Sequence, residues 1–325
     1  MVLSSTGPSV EFSNFSLKVL PGVELTVEPD VVFTGVERQV KNGGVLSVGE
    51  GATTTFLGNA DFNDNSIAIK QIGPISCGEG CITIGRGLSY IVKKGGAVHN
   101  KGVLTFQGDA AFRRNKAATD DSDEQGKAGA ISNTGSGSIL FQGKLTMEDN
   151  DAEGFFSGQG GAIYNRGDIV LDGESSFSTN IASEGGAIFQ TNIGSMIFNG
   201  MAIFTGNVAY EMAGGAINNE GGVMDFNAGS LFQENGASGS GDGGTGGAIY
   251  NRSGGVVTLK GPTAFEGNGA YWGGAIYNVE TGVWTADGTR APATITFPDS
   301  AVFSGNNAEY CPDLHTGDDN NCPVV

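Results

Sequence analysis

Short alternations of apolar and polar residues recur along most of this chain. Val103-Leu104-Thr105-Phe106 has apolar second and fourth positions, and so do Asp168-Ile169-Val170-Leu171, Val256-Val257-Thr258-Leu259 and Thr294-Ile295-Thr296-Phe297. The third position is mixed. A period of two with one apolar face predicts a half-buried strand. Before each such strand stands a glycine phrase. It reads Gly-Gly-Ala-Ile-Tyr-Asn at 160–165, 246–251 and 273–278, with looser copies at 95–100, 128–133, 185–190 and 214–219. After each strand comes a third segment ending in Phe-x-x-Asn, as at Phe112/Asn115, Phe177/Asn180, Phe204/Asn207, Phe232/Asn235, Phe265/Asn268 and Phe303/Asn306. Alanine follows two residues after each of these asparagines, and a loop of variable length leads back to the glycines.

Self-similarity at about 25–33 residues is the mark of a solenoid. Each unit holds three short strands and no helical period. Three strands per turn describe a parallel β-helix, whose coils stack at about 4.8 Å. A propeller blade needs four strands in about 40 residues or more, which these units cannot supply. The count of units predicts about nine or ten coils and a rod roughly 45 Å long. Recurrent Phe and Ile form interior columns, and the Phe-x-x-Asn asparagines form a ladder at one corner. Strict alternation turns Ile163 and Asn165 inward, and Tyr164 and the repeated alanine outward. The chain is expected to be a single domain, 1–325. Within it, 1–94 forms an N-terminal cap (about 1–40) and divergent coils, 95–310 the regular repeats, and 311–325 a stapled tail beyond the end of the solenoid.

The pairing of Gly-Gly-Ala-Ile with Phe-x-x-Asn resembles the repeats of the chlamydial polymorphic outer membrane proteins. Similar repeats occur in surface proteins of other microbes and algae, within the pectin-lyase-like superfamily. The resemblance spans about residues 95–310. It implies a right-handed, single-stranded parallel β-helix and an extracellular passenger used in adhesion or surface structure.

Composition narrows the readings. Glycine supplies 56 of 325 residues, more than twice the usual roughly 7 %. With 38 % hydrophobic residues there is a core to bury, so the glycines serve tight turns. The net charge of −18 argues against nucleic acid, whose binding rests on Lys and Arg neutralising phosphate. No apolar run is long enough for a membrane-spanning helix. Four cysteines fall in two local pairs, Cys77 with Cys81 and Cys311 with Cys322. This spacing predicts two disulfides and an oxidising setting, either extracellular or an organelle lumen. Asn14 and Asn251 head glycosylation sequons.

Candidate chemistry is sparse. His99 and His315, the only histidines, read as ordinary outward side chains, one in a repeat and one in the tail. Asp120 to Glu124 and Glu148 to Glu153 place carboxylates near one corner, where Asp149 and Asp151 are calcium candidates. No other cofactor is implied. Aromatics are the better binding candidates. Tyr164, Phe189, Tyr250 and Tyr277 form an outward row beside a loop corner that also carries Phe155-Phe156, Tyr210, Tyr271 and Trp272. Such a row suits a sugar or a protein partner, unless the loops fold over it. Three readings follow. The first is a non-enzymatic surface or structural protein that binds a protein or glycan. The second is a polyuronate lyase or epimerase acting through carboxylates near Asp149 and Asp151. The third is a subunit of a larger assembly.

Overall fold

The computed structural model describes residues 2–3, 9–13, 16–35, 37–38, 44–67, 92–117, 125–152, 158–239, 244–279, 283–284, 290–316 and 322. Three parallel sheets of ten strands each run the length of the molecule. Sheet A holds the strands that follow the glycine phrase, such as Val103–Phe106 and Asp168–Leu171. Sheet B holds the Phe-x-x-Asn strands, such as Ser175–Ser178, and sheet C the Ile-x-Asn strands, such as Ile163–Asn165. Each strand pairs with its counterpart one repeat away, Ile169 with Met196 and Phe177 with Phe204 for example. The result is a right-handed parallel β-helix of ten coils.

A fourth parallel sheet, D, has six strands and was not foreseen. Its members are mostly residue pairs such as Ile181–Ala182 and Val208–Ala209, placed just after the corner asparagine. Two-residue strands carry no readable period. Their only sequence trace is the alanine two residues after each asparagine.

The interior matches the pattern that built it. Phe177, Phe204, Phe232, Phe265 and Phe303 form one column with neighbouring rings 4.7–4.9 Å apart. Phe198 and Phe226 stack at 4.4 Å in a second column on sheet A. Strand spacing imposes these distances, and the rings meet near-parallel as aromatic packing allows. At the corner between sheets B and D the predicted ladder runs from Asn65 to Asn306. Each side-chain amide donates to the next asparagine's Oδ1 and to a main-chain carbonyl of the preceding coil, as Asn180 does to Asn207 (2.9 Å) and Met147 (3.0 Å). Asn306 ends it on Asp313 Oδ1 at 3.0 Å.

Both ends differ from expectation. The segment expected to cap the N-terminal end supplies the first strand of each long sheet: Val2–Leu3, Ser9–Ser13 and Leu17–Val19. At the other end the solenoid does not stop at Cys311. Leu314–Thr316 pairs with Ile276–Asn278 and adds a tenth strand to sheet C. Cys311 and Cys322 are joined, with their Cα atoms 5.1 Å apart. Cys77 and Cys81 lie outside the described residues.

Candidate functional site

The site grows from the corner where the glycine phrase enters sheet C. The first glycine of each pair takes positive φ, as Gly160 (69°) and Gly246 (63°) do, a conformation L-residues resist. The second has no room for a side chain. A Cβ on Gly161 would lie 2.1 Å from the carbonyl oxygen of Gly186, and one on Gly247 2.0 Å from that of Gly274. The phrase is therefore a device for stacking backbones.

It also breaks the alternation expected of it. The carbonyl of Ala162 accepts from both Ala130 N (3.2 Å) and Ile131 N (2.9 Å), and Ala187 does the same for Ala162 and Ile163. Two successive amides thus share one carbonyl, while the strands stay in one-to-one register, Ile131 opposite Ile163. The repeated alanine, expected outward, joins the following isoleucine in the core cluster.

The next residue does face away from the core, but most of that row is covered. Tyr164 and Phe189 retain 4 % and 2 % of their exposure, which overturns their reading as an open surface. They pack with Ala128 as a separate buried cluster, rings 5.6 Å apart. Lys127 lies 4.6 Å over the Tyr164 ring and donates to its hydroxyl at 3.2 Å. Burial pushes the Tyr164 phenol up, against the pull of Arg166. His99 and His315 belong to the same row and retain only 2 % and 1 % exposure, so both point away from the core but neither is exposed. Lys127 and Ala128, which lead into sheet C, pack on this face, which simple alternation does not anticipate.

Toward the C-terminal end the cover is thinner and aromatics gather. Tyr277 stacks on His315 at 4.5 Å and meets Tyr250 at a tilt at 5.5 Å. Trp272, on sheet D, meets His315 edge-on at 5.3 Å and stacks on Tyr310 at 4.1 Å, and Tyr271 sits 5.6 Å from both Trp272 and Tyr310. Tyr250, Tyr271, Trp272, Tyr277 and Tyr310 are all half-buried. Tyr271 borders a cleft of about 390 Å³ lined also by Ser238, Asn307, Glu309 and the small residues Ala237, Ala270 and Ala308. Burial raises the Tyr250 phenol, Tyr277 and Glu184 adding to it, and burial lowers the His315 imidazole. Four of the aromatics expected to bind thus converge here. Tyr164 and Phe189 sit coils away under cover, and half-buried Tyr210 lies two coils before Tyr271. His315 and Tyr310 were missed as members. The register could have found His315, because it follows Leu314 as Tyr277 follows Ile276.

The carboxylate candidates are engaged between coils. Asp151 pairs with Lys116 at 2.7 Å, and Asp149 accepts from the Thr179 hydroxyl. Arg113 bridges Glu148 (3.3 Å) and Asp61 (3.8 Å), while Arg114 holds Asp64 at 2.7 Å and its carboxyl below the usual carboxylate range. Among the described residues no three His, Cys, Asp or Glu side chains gather where they could hold a metal. The loop 120–124, Phe155-Phe156 and Asn14 lie outside the described residues. Asn251 is fully buried and donates to Asn278 at 2.8 Å within a second, unforeseen asparagine ladder, so its sequon is closed in the folded chain. No helix among the described residues is long and apolar enough to cross a membrane.

Residues 262–279 fit the family described as the Chlamydia polymorphic membrane protein repeat. The matched stretch contains Phe265-x-x-Asn268 and Gly273 to Asn278, one copy of each half of the repeat signature. Comparisons with curated proteins and with solved structures find no match.

Proposed function

We propose that this chain is a non-enzymatic, surface-displayed β-helix that binds a glycan through the aromatic cluster on its last two coils. The observation that carries the reading is Tyr271. Its ring is half-buried, backed by Trp272 and Tyr310, and borders a cleft with Ser238, Asn307 and Glu309 on its walls. A fixed aromatic face beside hydrogen-bonding groups suits a sugar ring, which offers C–H bonds on one face and hydroxyls at its edge. A surface location is supported by the name of the matched repeat, which is that of a membrane protein group. The Cys311–Cys322 bond fits an oxidising compartment.

An array of neutral and acidic glycans probed with the whole chain tests the reading. The expected result is a small set of related sugars bound by the wild type and lost in Tyr271→Ala. Capture of a protein partner from native material, with a blank array, would replace the glycan reading with a protein one.

A further inference from the structure

A second feature lies on the opposite side of sheet C, at its turn into sheet A. The residue after the sheet C asparagine is Lys101, Thr134 and Arg166 on three consecutive coils. Their main-chain nitrogens donate to the preceding coil in the same way: Lys101 to Val48 (3.0 Å), Thr134 to Asn100 (2.9 Å) and Arg166 to Asn133 (2.8 Å). The three residues therefore stand in file at the coil spacing of about 4.8 Å, a threonine between two cations. With Glu50, Gly135 and Ser136 they line a cleft of about 290 Å³.

Two details set this cleft apart. Thr134 retains only 6 % exposure, and its Oγ1 is buried without a hydrogen-bond partner. A buried hydroxyl left unpaired is destabilising, so a ligand that accepts from it would be favoured here. The second detail is charge. Arg113, Arg114, Lys116, Lys144, Arg252 and Lys260 each pair with a carboxylate. Among the described residues Lys101 and Arg166 form no ion pair, on a chain with 35 acidic and 17 basic residues. A third cation stands close by. Lys127 is pushed down by burial and by Arg166, with Glu184 partly offsetting them. Among the described residues on the cleft wall Glu50 is the one acidic group.

We propose that this turn binds an oxyanion, the sulfate, phosphate or carboxylate of an acidic oligosaccharide, held between Lys101 and Arg166 with Thr134 Oγ1 donating to it. Arg166 offers a planar fork suited to two oxygens and Lys101 a point charge. The proposal does not depend on the aromatic cluster, which lies in later coils.

Titration calorimetry at low ionic strength tests it with two probes, sodium sulfate and a sulfated tetrasaccharide. Saturable binding of at least one is expected. Thr134→Val keeps the shape of the threonine and should weaken binding about tenfold, as loss of one charge-assisted hydrogen bond does. Lys101→Ala with Arg166→Ala should abolish it, and Glu50→Gln should strengthen it. Tetrasaccharide binding more than about tenfold tighter than sulfate identifies a glycan as the source, and equal affinities identify the free ion. No saturable binding of either probe, or undiminished binding by the double variant with a wild-type melting temperature, would overturn the proposal.

Discussion

Asn180 shows how much one side chain carries in this molecule. Its Oδ1 accepts from the main-chain nitrogen and the amide of Asn150, both at 3.0 Å, and its own amide donates to Asn207 and Met147. Removing it strands donors on the preceding coil and acceptors on the preceding and following coils, all buried. Asn180→Ala is expected to destabilise by about 3 kcal/mol, since each buried group left unpaired costs about 1–3 kcal/mol and part of the loss relaxes. Asn306→Ala, at the partly exposed end of the same ladder, should cost about 1 kcal/mol. Urea midpoints of the two variants check the contrast, and equal losses would mean that the ladder does not act as a chain. Glycine gives the complementary case. Gly247→Ala forces a Cβ onto the Gly274 carbonyl and should cost more than about 2 kcal/mol, measured in the same way. The corner asparagine was legible because it recurs in every unit from Asn65 to Asn306, three residues after a Phe or, once, after Met147. The second ladder was harder to see, because Gln190 interrupts it between Asn165 and Asn219.

At the scale of elements, the long sheets could be read from periodicity, since each strand repeats its inward positions from coil to coil. What escaped was set by neighbours. At the entry to sheet C the Ala-Ile pair puts two consecutive residues inside, a geometry that a period of two cannot express. Part of the packing on Tyr164 and Phe189 comes from Lys127 and Ala128, and Ala128 stands where most other coils have glycine. The last strand, Leu314–Thr316, was hidden because Cys311-Pro312 stands where glycines stand in other coils. That strand carries His315, held between Tyr277 and Trp272. The groups facing it are thus aromatic, and burial lowers its pKa below the ordinary imidazole value of about 6.5. A lowered pKa means that the unfolded chain binds the proton more readily than the folded one. Its contribution to stability is present above about pH 6.5 and lost as pH falls through the lower, folded-state value. The melting temperature should therefore drop between pH 7.5 and pH 5 by more in the wild type than in His315→Phe, which keeps a ring against Tyr277. Parallel pH profiles would contradict this account of the last coil.

At the scale of the whole molecule, the ten coils form a rigid rack that fixes side chains in files. The repeat signature builds the rack and says little about a ligand, because its residues are spent on backbone stacking and core. Binding chemistry collects where the repeat varies. One such place is the end of the rod, where Tyr271, Trp272 and Tyr310 meet. The other is the turn where Lys101 and Arg166 flank Thr134. The net charge of −18 surrounds both with an acidic surface, which repels anionic partners at long range and leaves the two-cation turn as a local exception. The central claim is that the Tyr271 face takes a sugar ring, and the most direct test is an equilibrium titration of the strongest array ligand against three proteins. Tyr271→Phe should bind within about threefold of the wild type, because the stacking face is kept, whereas Tyr271→Ala should bind at least about tenfold more weakly. Wild-type affinity in Tyr271→Ala would contradict the claim.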